Sequence, residues 1–325
     1  MYMNFITLDN NKVEGFFLVK SAERRQSARK QPYLDLLLAD ITGEIPAKCW
    51  EYRPEFDAFR PGCVVKVRGQ LETWNERQQL RVEQIRLAGS GDRLDMSKII
   101  PTAPFDTEWM LEEILRIVES FEDEDLKRLT AYLINKNREK LLYWPAAVKM
   151  HHAYRGGLLY HTLSICRLAQ AVSRIYPFVR SDLLFCGVIL HDIAKIQEFV
   201  VNEAGSATEY SVEGNLIGHL VAGAMEIHDA CNVLGIPNET AVLVEHMVLS
   251  HHGIPEFGSP VRPSFVEAEI LSQLDDLDAK VNIFLGAMEG LEAGAFSGRQ
   301  WGLDNRKIYK HSESEADYSA DLEAE

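Results

Sequence analysis

The chain has 325 residues, of which 46% are hydrophobic and 26% charged, so it is long enough for two globular domains with buried cores. No apolar run approaches the ~20 residues of a membrane-spanning helix, and Met1–Asn4 opens no secretory signal, so we expect a cytoplasmic protein without a membrane partner. The five cysteines include no CxxC pair, which favours reduced thiols over a disulfide framework.

The formal net charge of −15 is unevenly distributed. Residues 1–90 carry 14 basic and 12 acidic side chains, whereas residues 313–325 carry six acidic side chains and no basic one. Because net charge governs solubility rather than the local field of a groove, the overall acidity does not exclude a nucleic acid as partner. We expect the acidic end of the chain, residues 301–325, to be a disordered tail.

The N-terminal residues 1–90 are expected to form a small β-barrel. The five strand-like segments are Val13–Lys20, Tyr33–Ala39, Glu44–Trp50, Val64–Leu71 and Gln79–Ile85, with a short polar helical segment, Arg53–Phe59, after the third. Five strands with a helical insertion between the third and the fourth is the plan of an OB-fold. The segment resembles OB domains that bind oligonucleotides, in pattern and strand order only, since OB-folds have no diagnostic motif.

Basic and aromatic side chains of this barrel suit a groove for a single-stranded nucleic acid. The loop after the first strand holds the first basic residues of the set. The candidates for nucleic-acid binding are Arg24, Arg25, Lys48, Trp50, Lys66, Arg68, Trp74 and Arg77. Taken singly, each is better explained by a solvated barrel face or an ordinary core aromatic, and a barrel that binds protein stays an alternative.

Helical periodicity begins after the barrel. Residues 91–145 are interpreted as a linker and helical connector, with amphipathic helices over Thr107–Phe121 and Asp123–Asn135. Residues 146–300 are expected to be an all-α domain. Its helices should break at Gly156-Gly157, Gly205, Gly235–Pro237 and Gly253–Pro263.

Nine of the ten histidines lie within residues 151–252, around the motif His191-Asp192. An imidazole next to a carboxylate offers a nitrogen and an oxygen ligand to one divalent ion. The flanking apolar residues, from Leu183 to Ile193, predict burial, where an unpaired aspartate would be costly. Although His-Asp is a common dipeptide, the clustering of further histidines favours a metal site over a solvated pair.

The order of His161, His191-Asp192 and Asp275 resembles the His…His-Asp…Asp signature of the HD-domain superfamily of metal-dependent phosphohydrolases. This resemblance implies that these four residues are the core metal ligands, with Asp276 and Asp278 as alternatives for the last position. His219, His251 and His252 are similar to what dinuclear members add, which implies a second ion with Asp192 bridging both. His246 would lie behind the site, and His228 and His311 on the surface.

An OB domain followed by an HD domain resembles the YhaM-type 3′→5′ exoribonucleases. The resemblance implies a metal-dependent exonuclease that degrades single-stranded RNA, and in many members DNA, to nucleoside monophosphates. It also implies two divalent ions, Mn²⁺ foremost, with Fe, Co²⁺, Ni²⁺ or Mg²⁺ as alternatives, and allows a homo-oligomer.

Within this scheme we expect Asp192 and Lys195 to be catalytic. Lys195 lies four residues after His191, so both would project from one helical face, and its ammonium would neutralise charge on the phosphoryl oxygens. A surface lysine near a helix end is the alternative. The expected substrate-binding residues are His152, Arg155, Lys195 and Asp278.

Two other functions remain open on the sequence. One keeps the HD chemistry but acts on nucleotides or cyclic (di)nucleotides, and the absence of a Gly-Tyr-Pro motif after His252 weighs against the cyclic dinucleotide class. The other is a non-catalytic, metal-containing nucleic-acid-binding protein, which an open ligand set and Lys195 disfavour.

Overall fold

The computed structural model describes residues 7–8, 11–27, 29–41, 43–74, 77–89, 91–148, 152–202 and 204–312. The chain divides into two compact units, one made of Met1–Thr102 with Val201–Ser206 and the other of Ala103–Val200 with Ala207–Glu325. Within the described ranges, no helix combines the length and the apolar character needed to cross a membrane.

The first unit contains a closed five-stranded barrel. The barrel strands are β2 (Lys12–Gln26), β3 (Pro32–Asp40), β4 (Gly43–Cys49), β5 (Val64–Trp74) and β6 (Arg77–Leu87), and a two-residue strand, β1 (Thr7–Leu8), pairs with β2. The sheet runs β1-β2-β3-β4-β6-β5 and closes because β5 also pairs with β2; the β4–β6 pair is parallel and the others are antiparallel. A 3-10 helix, Pro54–Ala58, follows β4. This is the predicted OB-fold, including the helical insertion after the third barrel strand.

The barrel core is built by alternation along the strands. Val65 and Val67 are fully buried while Arg68 is exposed, so one face of β5 fills the interior and the other faces solvent. Phe56 of the 3-10 helix joins this core. Burial of alternate residues therefore fixes the register that places the basic side chains outside.

One strand is longer than predicted. β2 continues past Lys20 to Gln26 and stays paired with β3, with Arg24 opposite Leu34 and Arg25 opposite Tyr33. The two arginines therefore lie on a strand, and their placement in a loop was wrong. A register shift between Val19 and Ser21 lets the strand bend and continue as an exposed ribbon, where polar side chains are tolerated.

Part of the predicted linker packs on the first unit. A 3-10 helix over Met96–Lys98 is followed by Ile99 and Ile100, which are buried against Leu18 and Ala39. The apolar pair therefore belongs to a hydrophobic cluster rather than to a solvated connector.

The second unit is mainly helical. Its helices are α1 (Thr107–Glu119), α2 (Glu124–Leu141), α3 (Gly157–Ile175), α4 (Ser181–Leu190), α5 (Lys195–Glu198), α6 (Val212–Leu216), α7 (Gly218–Leu234), α8 (Asn238–Ser250) and α9 (Val266–Met288). Both helices predicted before residue 136 are present. Gly235, with φ of 68°, ends α7, because glycine adopts this left-handed conformation without strain.

The predicted helical domain is confirmed, and the structure adds two short β-hairpins to it. A hairpin of β7 (Phe199–Val201) and β8 (Ala207–Tyr210) surrounds the predicted break, and β9 (Phe296–Gln300) pairs with β10 (Arg306–Tyr309) near the end of the chain. The predicted tail is therefore structured over residues 301–312, where Leu303 and Ile308 are buried. Strands this short contain too few residues for an alternation of apolar and polar side chains to be recognised in the sequence. The remaining part of the predicted tail, 313–325, lies outside the described residues.

Candidate active site

Five helices bring the predicted ligands together at one place in the second unit. His161 lies inside α3 and Asp275 inside α9, whereas the other ligands lie at helix ends. His191-Asp192 directly follow α4, His219 lies in the first turn of α7, and His251-His252 directly follow α8. Helix ends suit this role because the chain turns there, so two adjacent side chains can face the same point.

The first group of side chains surrounds the HD motif. His161 Nε2 lies 3.1 Å from Asp275 Oδ1, 3.3 Å from His191 Nε2 and 3.6 Å from Asp192 Oδ2. His191 Nε2 is 3.3 Å from Asp192 Oδ2 and 3.9 Å from Asp275 Oδ1. Two imidazole nitrogens and two carboxylate oxygens therefore converge on one point.

The second group consists of the imidazoles of His219, His251 and His252, whose potential ligand atoms all lie within 4.8 Å of one another. Asp192 Oδ1 lies 3.4 Å from His219 Nε2 and 3.7 Å from His251 Nε2. The two oxygens of Asp192 therefore face different imidazole groups.

Three atoms at this junction are buried polar groups without a hydrogen-bond partner among the described residues: Asp192 Oδ1, His219 Nε2 and His251 Nε2. Leaving one such group unsatisfied costs about 1–3 kcal/mol. Because all three face each other and offer one oxygen and two nitrogens, a divalent cation satisfies them together. The donor set therefore fits a metal ion.

The rings are held so that Nε2 faces the cluster. In each ligand imidazole the Nδ1 atom contacts an acceptor, which fixes the tautomer and the ring orientation, an arrangement common around protein-bound metals. These contacts are His161 to Asp278 Oδ2 at 2.7 Å, His191 to Val188 O at 2.7 Å, His219 to Glu198 Oε1 at 2.8 Å, His251 to Val248 O at 2.7 Å and His252 to Phe257 O at 2.8 Å.

Glu198 is a site residue that sequence reasoning missed. It is 7% exposed, and its Oε1 accepts hydrogen bonds from both Nδ1 and the backbone N–H of His219, the latter at 3.1 Å. The available signal was an acidic residue in the apolar segment that follows His191-Asp192. Its partner lies on another helix, so no spacing in the sequence connects the two residues.

The three candidate aspartates of α9 have different surroundings. Asp275 faces His161 and His191, whereas Asp278 Oδ2 contacts His161 Nδ1 from behind. Asp276 points outward, 53% exposed, and pairs with Lys280. The geometry thus favours Asp275 as the ligand and gives Asp278 an outer position, different from the predicted substrate contact.

The candidate Trp50 of the first unit forms an aromatic pair with Tyr33, a half-buried residue that the sequence analysis did not single out. The rings of Tyr33 and Trp50 lie 4.8 Å apart, Trp50 is 46% exposed, and the Lys48 ammonium lies 5.6 Å from each ring centroid. A flat face flanked by a cation is what a stacked base with its phosphate requires.

The other candidates of the first unit are more dispersed. Arg24 lies over the Tyr52 ring at 4.6 Å, and Arg25 is paired with Asp35 at 3.0 Å, which reduces its availability for phosphate. A cavity of about 730 Å³ brings Trp50, Lys66 and Arg68 together, although Lys66 also faces Glu14 at 3.5 Å. The predicted contributions of Trp74 and Arg77 rest on side chains that lie outside the described residues.

Comparison with known proteins agrees with both units. A family model of the HD domain matches residues 158–280, and one of the OB-fold nucleic acid binding domain matches residues 19–88. The chain is 40% identical over 300 residues to the 3′-5′ exoribonuclease YhaM of Geobacillus sp. (strain WCH70), with 92% of each chain covered. It is 38% identical over 299 residues to that of Halalkalibacterium halodurans, again with 92% of each covered. The chain belongs to the YhaM family.

The HD match of this YhaM-family chain begins before His161 and ends after Asp278, so it contains the whole cluster described above. An HD domain whose histidines and aspartates converge in this way is a divalent-metal-binding domain. The OB-fold match contains Tyr33, Lys48 and Trp50.

Lys195 is paired directly with Asp192 in this YhaM-family chain. Its Nζ lies 2.7 Å from Asp192 Oδ2. Burial raises the pKa of Asp192, but the charges of Lys195 and His191 outweigh it and hold that pKa well below its usual range. The predicted continuous helical face was wrong, because α4 ends at Leu190 and a turn precedes Lys195, which starts α5. The turn still directs the ammonium to the cluster.

The two imidazole groups differ in electrostatics. Burial lowers the pKa of His161, but hydrogen bonds to Asp275 and Asp278 raise it to about 10. Burial lowers the pKa values of His251 and His252, and neighbouring imidazoles lower them further. The lowered pKa values favour the neutral form of His251 and His252, which is the metal-binding form of histidine.

Three histidine and arginine predictions need correction. His152 is 2% exposed and both ring nitrogens are engaged, which disfavours direct substrate contact. The Arg155 guanidinium lies over the Tyr143 ring at 5.4 Å, and no described contact joins it to the cluster. His246 accepts a hydrogen bond from the Ser264 N–H at 3.0 Å instead of supporting a ligand, because α8 turns it toward the start of α9.

Proposed function

We propose that this protein is a metal-dependent 3′→5′ exonuclease that removes nucleoside monophosphates from single-stranded RNA and also accepts single-stranded DNA. The observation that carries the proposal is the geometry of Asp192, whose two oxygens face two separate imidazole groups at a junction of three unpartnered buried atoms. The same chain carries an OB barrel on which the exposed ring of Trp50 packs beside Tyr33.

We assign His161, His191, Asp192 and Asp275 to one ion and His219, His251 and His252, with Asp192 shared, to a second. Mixed imidazole and carboxylate ligands suit Mn²⁺, Fe, Co²⁺ or Ni²⁺, and Mn²⁺ is our first choice; Mg²⁺, which prefers oxygen ligands, fits least well. When bound, such ions lower the pKa of water toward neutrality and neutralise phosphoryl charge.

Lys195 has two tasks in this proposal. Its ammonium is anchored 2.7 Å from Asp192, and its backbone carbonyl accepts a hydrogen bond from Trp144 Nε1 at 2.8 Å. These contacts hold the charge beside the cluster, where it can balance negative charge that develops on a phosphoryl oxygen. They also orient the carboxylate that both imidazole groups face.

We propose that Tyr33 and Trp50 form the base-stacking surface and that Lys48 contacts a phosphate. Stacking on an aromatic ring tolerates any base, so it suits an exonuclease that must advance through unrelated sequences. Arg24, Lys66 and Arg68 would extend the contact to further phosphates, as electrostatic rather than base-specific contacts.

The reaction is tested with a 5′-labelled RNA oligomer, Mn²⁺ and the purified protein. We expect a ladder that shortens from the 3′ end, and immediate release of a mononucleotide when the label is at the 3′ end. Asp192→Ala should lose metal and activity together while keeping its fold, and Asp276→Ala, an exposed aspartate nearby, is the matched control. Metal-dependent hydrolysis retained by Asp192→Ala would refute the mechanism.

The outcome also separates the alternatives. Hydrolysis restricted to mononucleotides or cyclic nucleotides would support the second function, and no turnover with any divalent metal would support a non-catalytic binding protein. Self-association stays a prediction, which light scattering of the purified protein tests. We also propose a cytoplasmic location, because all five cysteines are free and buried.

The stacking surface is tested by Trp50→Ala. Loss of one stacked base costs about 1–3 kcal/mol, so the KM for a long single strand should rise about 5- to 150-fold while the kcat is retained. Trp301→Ala removes a tryptophan that is 79% exposed on the second unit and should leave the KM unchanged. An unaltered KM in Trp50→Ala would exclude this surface.

A further inference from the structure

A chain of hydrogen bonds runs from Tyr154 to the metal-facing imidazole of His161. Tyr154 Oη lies 2.8 Å from His152 Nδ1, His152 Nε2 lies 2.8 Å from Asp278 Oδ2, and the same oxygen lies 2.7 Å from His161 Nδ1. Four side chains from the segment before α3, from α3 and from α9 are thus connected behind the cluster.

The direction of each bond follows from the charge of the carboxylate. An ionised carboxylate only accepts, so both His152 Nε2 and His161 Nδ1 donate to Asp278. With Nε2 donating to Asp278, the other nitrogen of a neutral His152 imidazole, Nδ1, accepts the hydrogen bond that the Tyr154 hydroxyl donates at 2.8 Å. With Nδ1 of His161 committed to Asp278, Nε2 is the nitrogen that faces Asp275 and the metal site.

His152 is held in a strained conformation. Its φ of 52° lies in the left-handed region, which non-glycine residues rarely adopt. Its backbone N–H donates to Asn282 Oδ1 at 3.0 Å, and its carbonyl accepts from the Ala146 N–H at 3.1 Å. A Cβ at Gly157 would lie 2.1 Å from that carbonyl oxygen. Strain that several surrounding contacts maintain is characteristic of functional positions.

We propose that Tyr154, His152 and Asp278 are positioning residues that lock the ring of His161 for metal binding. The proposal deepens the proposed metal centre and rests on it. This buried chain of hydrogen bonds, called the relay below, restricts the His161 ring to one tautomer and one orientation, so less ordering of the ring is required when the ion binds. His152 thus acts through Asp278 rather than by touching the substrate.

A different set of three, His152, His161 and Asp278, offers an alternative site for an ion, because their potential ligand atoms all lie within 4.8 Å of one another. The directions of the hydrogen bonds disfavour this alternative. His152 Nε2 and His161 Nδ1 both donate to the same oxygen of Asp278, so an ion would have to displace two charge-assisted hydrogen bonds. The stoichiometry of bound metal separates the two arrangements.

The test is the dissociation constant of Mn²⁺ for the purified full chain, measured by competition with a chelating dye. Loss of an outer partner of a metal-binding histidine typically weakens metal affinity 10- to 100-fold, which we expect for Asp278→Asn. His152→Asn, whose new side chain tolerates the left-handed region, should give a smaller loss, and Tyr154→Phe the smallest.

Tyr160→Phe is the matched control. Its ring packs against His152 with a centroid separation of 5.3 Å, but its hydroxyl bonds to Ser164 and not to the relay. It loses the same phenolic oxygen as Tyr154→Phe and should keep the wild-type affinity. An equal loss in the two tyrosine variants would show a packing effect and overturn the relay.

A double-mutant cycle completes the test. If His152 acts only through Asp278, then His152→Asn should weaken Mn²⁺ binding no further in an Asp278→Asn background. Additive losses, an unchanged dissociation constant for Asp278→Asn, or one metal equivalent fewer in that variant would overturn the proposal. Wild-type protein that binds no divalent metal would instead refute the proposed metal centre itself, so the two failures are distinguishable.

Discussion

Glu198 offers the sharpest test of how the second imidazole group is held. Its buried carboxylate is the acceptor for two hydrogen bonds from His219, from Nδ1 at 2.8 Å and from the backbone N–H at 3.1 Å. Glu198→Ala removes that acceptor and leaves both donors in a buried position. Glu198→Gln keeps a carbonyl oxygen at the same place but removes the charge.

The magnitude follows from the two bonds. A hydrogen bond to a charged group contributes about 1.5–3 kcal/mol, so Glu198→Ala should lower the free energy of unfolding by about 3–6 kcal/mol, and by less where water replaces the carboxylate. Freed from its acceptor, the ring of His219 can rotate. Metal affinity should fall about 10- to 100-fold, equivalent to about 1.4–2.7 kcal/mol, with Glu198→Gln between this variant and the wild type.

The assay combines Mn²⁺ titration with thermal unfolding of the metal-free protein. Glu245→Ala is the control, because Glu245 contacts His228 Nδ1 at 3.0 Å in a similar pair, but there the histidine side chain is 61% exposed. Exposed pairs contribute about 0–1 kcal/mol. Wild-type metal affinity in Glu198→Ala, or an equal loss in Glu245→Ala, would refute the reasoning.

Two further substitutions have defined outcomes. Asp275→Asn should abolish Mn²⁺-dependent hydrolysis whereas Asp276→Asn should not, and activity assays in which both variants retain turnover would exclude Asp275 as a ligand. Gly157→Ala places a Cβ 2.1 Å from the His152 carbonyl oxygen, so the backbone must shift. We expect it to destabilise the protein by about 1–3 kcal/mol in chemical denaturation, and an unchanged midpoint would show that this turn yields without cost.

The convergence of the candidate metal ligands could be predicted from the sequence because their chemistry is rare in an apolar setting. His191-Asp192 lies at the end of a nearly continuous apolar run, where an ionisable pair needs partners, and that reasoning requires no knowledge of the fold. The order of the remaining histidines then resembles a known family. The structure adds which oxygen of Asp192 faces which group.

The outer partners of the ligands could not be predicted in this way. Glu198 and His219 are 21 residues apart, and the contact between Asp278 and His152 spans 126. No hydrophobic period or motif links such positions; they meet only because helices pack. The end of β2 was missed for a related reason, since an exposed ribbon buries too little surface for its polar side chains to alternate with apolar ones.

The pairing of Lys195 with Asp192 leads to a prediction about protein stability that depends on whether metal is bound. Both side chains are buried, with 11% and 3% of their surface exposed, and removing one member of a buried ion pair typically costs about 3–5 kcal/mol. Lys195→Met should therefore destabilise the metal-free protein by that amount, because Asp192 keeps its charge and loses the ammonium that lies 2.7 Å away.

A bound divalent ion changes this balance, since it supplies positive charge to the same carboxylate. The melting temperature of Lys195→Met in chelator should fall by roughly 6–20 °C, from 2–4 °C per kcal/mol for a unit of this size, and the deficit should shrink when Mn²⁺ is added. Lys280→Met breaks the exposed pair with Asp276 and should have little effect under either condition. An equal deficit in Lys195→Met with and without Mn²⁺ would mean that the ammonium and the metal do not share Asp192, and the assignment of that carboxylate as the bridging ligand would fail with it.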